Sequence, residues 1–147
     1  MSQVDVLTEV QINRSVEEVS RFASDPDNAT KWYKNIKSVE WKTEKPLREG
    51  SRLEFRAEFL GKKLIYTYEV VEYVSNTKFV MRTASGPFPM ETTYYWERIS
   101  ENETRMKLRN RGTPSGFSRL FAPFMAMTIR KANEKDLQRL KKIIEKK

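Results

Sequence analysis

The 147-residue sequence contains no cysteine and no histidine. Without cysteine there are no disulfides, no thiolate nucleophile and no thiolate metal site. Without histidine the usual general base near neutral pH is gone, together with Ser-His and Cys-His nucleophile pairs and the commonest metal ligand. Any chemistry must run on Asp, Glu, Lys, Tyr or Arg, and neither a metal nor a cofactor is expected. No apolar run approaches the ~20 residues that span a bilayer. The opening MSQVDVLTEV lacks the apolar stretch of a signal peptide, so the expectation is a cytoplasmic protein. The length suits one core and not two, which predicts a single domain over residues 1–147.

Hydrophobic residues make up 38% and charged residues 33%, so the apolar set must be used economically; the net charge is +8. Much of that excess lies in one place. Between Arg130 and Lys147 eight basic residues, among them Arg139, Lys141, Lys142, Lys146 and Lys147, stand against Glu134, Asp136 and Glu145. A solvated helix face with cations at its C-terminal end accounts for this. Nucleic acid is not expected as a partner, and a weak contact with an anionic membrane is the most that the segment suggests.

Val4, Val6, Thr8, Val10 and Ile12 alternate as a strand does. Ser15-Val16-Glu17-Glu18 reads as a capping box opening a helix whose apolar face is Val16, Val19, Phe22 and Ala23. SDPDN ends it, and ATKWYKNI predicts a second short helix. Val39 and Trp41 open the next strand. Residues 51–74 read as a hairpin about Gly61-Lys62, with Phe59 opposite Leu64, Ala57 opposite Tyr66, Phe55 opposite Tyr68 and Leu53 opposite Val70, all on one face. Apolar residues on both faces near Val70-Val71-Glu72 predict a bulge. NTKFVMRT gives another strand. A strand from Met90 and a last one over TRMKLRNR pair with Glu97 opposite Arg105, Trp96 opposite Met106, Tyr94 opposite Leu108 and Thr92 opposite Asn110. The basic row Arg105, Lys107, Arg109 and Arg111 then has acidic neighbours in Glu97 and Glu91. After Pro114 the period becomes helical, predicting one helix from about Ser115 to Lys146.

The order is strand, two short helices, six antiparallel strands, long helix. Only the last element is large enough to cover the apolar sheet face, which makes the chain an α+β protein of about seven strands around one helix. A narrow helix cannot fill the hollow of a strongly twisted sheet everywhere, so a pocket is expected between them.

Several stretches carry a family resemblance: INRSVEEVSRFASDPDNATKWYKNIKSV, PLREGSRL, YEVVEY, GPFP, and the run from TPSG into LFAPFM. In that order and spacing the whole chain resembles the helix-grip fold of the START and Bet v 1-like (SRPBCC) superfamily, and most of all its bacterial polyketide cyclase/dehydrase-like branch. The resemblance implies a cavity for a lipid, polyketide, sterol or similar hydrophobic ligand. It transfers no catalytic residue.

The expected lining follows from the inward strand faces: Phe55, Phe59, Tyr66, Tyr68, Met81, Thr83, Thr92, Tyr94, Trp96 and Met106, a mostly apolar set with a few polar handles. Phe121, Met125 and Thr128 would form the helical wall, and Trp32, Tyr33 and Phe88 would rim the mouth. No acid–base pair stands out; Glu72 with Tyr66 or Tyr68 is the sole combination on offer. The reading is therefore a non-catalytic binder of a small hydrophobic ligand, monomeric or homodimeric, with a polyketide-type cyclase or dehydratase as the alternative and an RNA- or membrane-surface module as a third.

Overall fold

The structure, a computed structural model, describes residues 4–59, 61–86, 89–113 and 121–147, apart from the side chains of Phe121 and Ala122. Strand β1 (Val4–Ile12) alternates buried and exposed residues along its whole length, with Val4, Val6, Val10 and Ile12 turned inward. Helix α1 (Val16–Ser24) starts where expected, because the Ser15 hydroxyl accepts from the Glu18 N–H at 3.2 Å. A 3-10 turn (Pro26–Asn28) leads into α2 (Ala29–Trp32).

That second helix is shorter than ATKWYKNI suggests. Tyr33 is already extended, and the Lys34 N–H that would continue the helix donates instead to the Asp136 carboxylate at 3.1 Å. A tertiary acceptor has replaced the helical one. Ile36 then opens β2 (Ile36–Trp41).

The remaining strands are β3 (Arg52–Phe59), β4 (Lys62–Val74), β5 (Lys78–Ser85), β6 (Met90–Ser100) and β7 (Glu103–Gly112). They run as an antiparallel meander, and β1 adds beside β7, giving the sheet order β1-β7-β6-β5-β4-β3-β2. The β6–β7 register is the expected one, with Trp96 opposite Met106, Tyr94 opposite Leu108 and Thr92 opposite Asn110. The bulge in β4 is also present, between Val70 and Glu72.

The β3–β4 register differs from expectation by two residues. Leu53 faces Tyr68, Phe55 faces Tyr66, Ala57 faces Leu64 and Phe59 faces Lys62. The turn is therefore one position earlier, with Gly61 taking φ 77°, a left-handed conformation that glycine adopts without strain. A slip of two preserves every side chain's face, so the inward set survives the correction.

Helix α3 (Phe121–Glu145) covers part of the concave face. The expected residues 115–120 lie outside those described. At 1.5 Å per residue its 25 residues span about 37 Å. It lies chiefly against β1 and touches α2. Leu137, Leu140 and Ile144 are buried with Val10, Ile12, Trp96, Met106 and Leu108 in the main core, and Met125 with Val4 and Val6 in a smaller cluster. The helix thus closes the β1–β7–β6 side, while among the described residues the β3–β4–β5 side of the hollow is capped by α1, α2 and the chain between them.

Outside the hollow three of the four cations in the basic row of β7 are paired. Arg105 meets Glu97 at 2.9 Å, Arg111 meets Glu91 at 2.9 Å and Arg109 meets Asp5 at 2.7 Å. The last partner comes from β1, whose position beside β7 the sequence did not reveal.

Candidate functional site

Two adjoining lobes occupy the uncovered side of the hollow. The first, ≈ 160 Å³, lies between the α1–α2 segment and the sheet, walled by Phe55, Phe79, Met81, Thr92 and Tyr94. The second, ≈ 150 Å³, reaches toward α3 and is walled by Phe59, Leu64, Met125, Ile129, Asn133 and Asp136. Tyr33, Ala57, Tyr66, Tyr68 and Asn110 belong to both. The small side chain of Ala57 at this junction leaves the space that joins them. Gly86 has a related role, since a Cβ there would sit 2.6 Å from the Tyr66 ring.

Of the side chains expected to line the cavity, Tyr33, Phe55, Phe59, Tyr66, Tyr68, Met81, Thr92, Tyr94 and Met125 do so. Trp96 and Met106 do not. Both point to the concave side, but the C-terminal half of α3 closes over that part of the sheet and packs them into the core. Trp32, expected at the mouth, is fully buried in the same core, its ring 4.0 Å from that of Tyr33. Thr83 bonds the Met90 backbone and Thr128 the Phe124 carbonyl, and neither is on the wall. Phe88 and the Phe121 side chain lie outside the described residues. Glu72 faces out and pairs with Lys78 at 3.3 Å, as Glu69 does with Arg52 at 3.0 Å, so the one candidate base is on the wrong side of the sheet.

The polar handles form a short network. The Tyr33 and Tyr94 hydroxyls lie 2.6 Å apart, and the Thr92 hydroxyl donates to the Asn110 side-chain oxygen at 2.7 Å. Burial raises the pKa of Tyr33, Tyr66, Tyr68 and Tyr94, so these phenols remain neutral hydrogen-bonding groups at any physiological pH.

Sequence reading missed Phe79, Leu64, Asn110, Ile129 and Asn133 on the walls, and with them Asp136. Its Oδ1 accepts from the Lys34 N–H and, at 3.0 Å, from Arg139, which also donates to the Trp32 carbonyl at 2.7 Å. One carboxylate thereby ties α3 to the end of α2 and holds Tyr33 in place. Burial raises its pKa, and the bonds from Lys34 and Arg139 oppose that rise. A signal was available in the sequence. Ile129, Asn133, Asp136, Leu140 and Ile144 follow one helical stripe at spacings of three and four, and two polar residues interrupt an otherwise apolar face.

The raised pKa has a testable sign. Below the ordinary aspartate value of 3.8 both folded and unfolded states carry the proton. Above it the unfolded chain ionises first and the fold is penalised. The stability of Asp136→Asn relative to the wild type should therefore increase as pH rises from about 3 to about 6. Urea denaturation of both proteins across that range measures it; a constant difference would show that Asp136 titrates as it does in the unfolded chain.

A curved seven-stranded antiparallel sheet gripping one long helix, with short helices after the first strand and a hollow between, is the helix-grip fold. Residues 3–145 match the family described as Polyketide cyclase / dehydrase and lipid transport, and the chain belongs to it. No curated protein matches the sequence. Among solved structures, the protein TTHA0849 from Thermus thermophilus is similar over 95% of this chain and 96% of its own, at 22% identity and TM-score 0.81. A START superfamily protein from Mycobacterium smegmatis aligns over 97% of both chains at 16% identity and TM-score 0.83. The Zhui aromatase/cyclase from Streptomyces sp. R1128 aligns over 97% of this chain and 94% of its own, at 11% identity and TM-score 0.82. At these identities the likeness is one of fold. Among the described residues no helix is long and apolar enough to cross a membrane.

Proposed function

We propose that this protein binds a small hydrophobic or amphipathic molecule, such as a lipid, a polyketide-like compound or an aromatic metabolite, in the two-lobed cavity and acts as a carrier or sensor of it. The observation that carries the reading is the cavity itself: apolar walls, four neutral tyrosines and a small residue at the junction, in a hollow that the helix leaves open. Ligand sites have this makeup, with few polar groups setting orientation and apolar surface supplying affinity. The family's description as lipid transport is in keeping with it. Native mass spectrometry of the purified protein tests it: a co-purifying lipid or aromatic metabolite is expected, and a protein that stays empty when offered a mixed lipid and aromatic panel would overturn it.

A second reading, a polyketide-type cyclase or dehydratase, is favoured by one specific observation. A buried carboxyl, Asp136, stands beside the Tyr33–Tyr94 pair on the cavity wall, which places a potential proton acceptor and donor together. The Zhui protein is named an aromatase/cyclase. Turnover of an aromatic polyketide mimic, lost in Asp136→Asn, would select this reading.

Nucleic-acid binding is not expected. Arg139 is held by Asp136 and the Trp32 carbonyl, Lys141 by Glu145 and the Gln11 carbonyl, and Arg130 bonds the Leu7 carbonyl. Any association with RNA or DNA should show a nearly flat dependence on salt, whereas each phosphate contact would add a log–log slope of about −0.7 to −0.9. A filter-binding titration at several salt concentrations measures that slope.

A further inference from the structure

Strand β7 turns Met106, Leu108 and Asn110 to the concave side, so that an amide follows two apolar neighbours. Asparagine is disfavoured in strands, and a buried amide needs hydrogen bonds to offset its desolvation. Here only half of it is bonded. The Asn110 Oδ1 accepts from the Thr92 hydroxyl of β6 at 2.7 Å, whereas its Nδ2 has no partner among the described residues. The side-chain nitrogens that are both unpartnered and enclosed belong to Trp32, Trp96 and Asn133; the Asn110 Nδ2 is unpartnered but not enclosed. Asn110 is 9% exposed, and its backbone is flanked by β1 at Val6 and by β6 at Thr92. What it exposes therefore faces the hollow, where it stands on the wall of both lobes. By holding the amide oxygen, Thr92 fixes which end meets that space. It is the donor end.

We propose that Asn110 selects a neutral ligand with an acceptor oxygen in the middle of its length, a ketone or ester carbonyl between two apolar arms, by donating its amide N–H to that oxygen. This rests on the ligand-binding reading of the cavity. The position of the oxygen follows from the junction. A ligand that spans both lobes lays one arm against Phe79 and Met81 and the other against Leu64 and Ile129, and its middle passes Asn110. Neutrality follows from the walls. Among the described residues neither lobe carries a lysine or an arginine, so an anionic oxygen would be desolvated without a counter-charge. A hydrocarbon at the junction would strip the amide of water and return nothing, while a carbonyl replaces the lost bond.

Four two-ring probes separate these features when titrated calorimetrically into the full chain near neutral pH. Benzophenone has the central ketone, and diphenylethylene with both rings on one carbon has the same shape with a methylene in place of the oxygen. Biphenylcarbaldehyde carries its oxygen at one end, and diphenylacetate carries a central anion. Benzophenone is expected to bind roughly tenfold more tightly than the alkene, the worth of one hydrogen bond to a buried donor. The aldehyde and diphenylacetate should both bind more weakly than the ketone. The double variant Thr92→Val, Asn110→Leu removes both halves of the cross-strand bond and leaves no orphan, and in it benzophenone should fall to the affinity of the alkene. Should that variant not fold, the infrared carbonyl band of isotope-labelled benzophenone on the wild type answers the same question. It should lie at lower frequency than in hexane, the mark of an accepted hydrogen bond, and should stay there in Tyr68→Phe, which removes another hydroxyl at the junction. Equal affinity for ketone and alkene in the wild type, a preference that survives the double variant, an unshifted band, a shift lost in Tyr68→Phe, or aldehyde or diphenylacetate binding as tight as benzophenone's overturns the proposal and leaves the cavity reading standing. No binding of any of the four overturns both.

Discussion

Trp96→Ala is expected to cost roughly 3–5 kcal/mol of folding stability, the range for truncating a large aromatic in a filled core. The side chain is 5% exposed, lies opposite Met106, and belongs to the cluster that Leu137, Leu140 and Ile144 of α3 complete. Nothing nearby can collapse into the void, because the sheet backbone below is fixed by the β6–β7 ladder and the helix above is held through Asp136 at its middle. For a domain of this length a loss of that size lowers the melting temperature by on the order of 10 °C. Chemical denaturation with the slope unchanged provides the measurement. A cost below about 1 kcal/mol would place Trp96 beside unfilled space, in the cavity rather than the core.

Ala57→Phe should show the opposite pattern, nearly neutral in stability and severe in binding. Ala57 stands where the two lobes meet, between Tyr66, Tyr68 and Tyr33. A phenyl ring at that position projects into existing space, so the overpacking penalty of about 1–3 kcal/mol that a filled core imposes should not arise. Ligand affinity should fall on the order of a hundredfold, about 2.7 kcal/mol, because the ring occupies the volume that a ligand spanning both lobes requires. Intrinsic fluorescence reports the binding: Trp32, whose ring lies 4.0 Å from Tyr33 behind the cavity wall, should respond to ligand in the wild type and fall silent in the variant. Trp41, whose indole N–H donates to Asp27 at 2.8 Å and which is on the wall of neither lobe, should not respond in either. Unaltered binding in Ala57→Phe would mean that the ligand does not occupy the junction.

The difference between Trp96 and Ala57 also separates what could be read from the sequence from what could not. The strands, their faces and most of their pairing were legible, because alternation and capping are local and each inward residue declares itself by its neighbours at two-residue spacing. Even the misplaced turn at Gly61 did little damage, since a slip of two residues returns every side chain to its own face. The bulge at Val71 was visible for the same reason: a strand that turns apolar on both faces must break its alternation. What alternation cannot say is which part of one continuous inward face will be covered. Trp96, Met106, Tyr66 and Tyr68 are equivalent by pattern. They part company because α3 leans on β1 rather than lying along the middle of the sheet, so its apolar stripe seals the first pair into the core and leaves the second pair over a hollow. Trp32 was lost to the rim by the same decision, drawn inward when Asp136 took the Lys34 N–H and ended α2. Asn133 and Asp136 themselves were written in the helix as polar breaks in an apolar stripe. Only the docking of that stripe against α2 and the open side of the sheet turned those breaks into the polar end of a cavity.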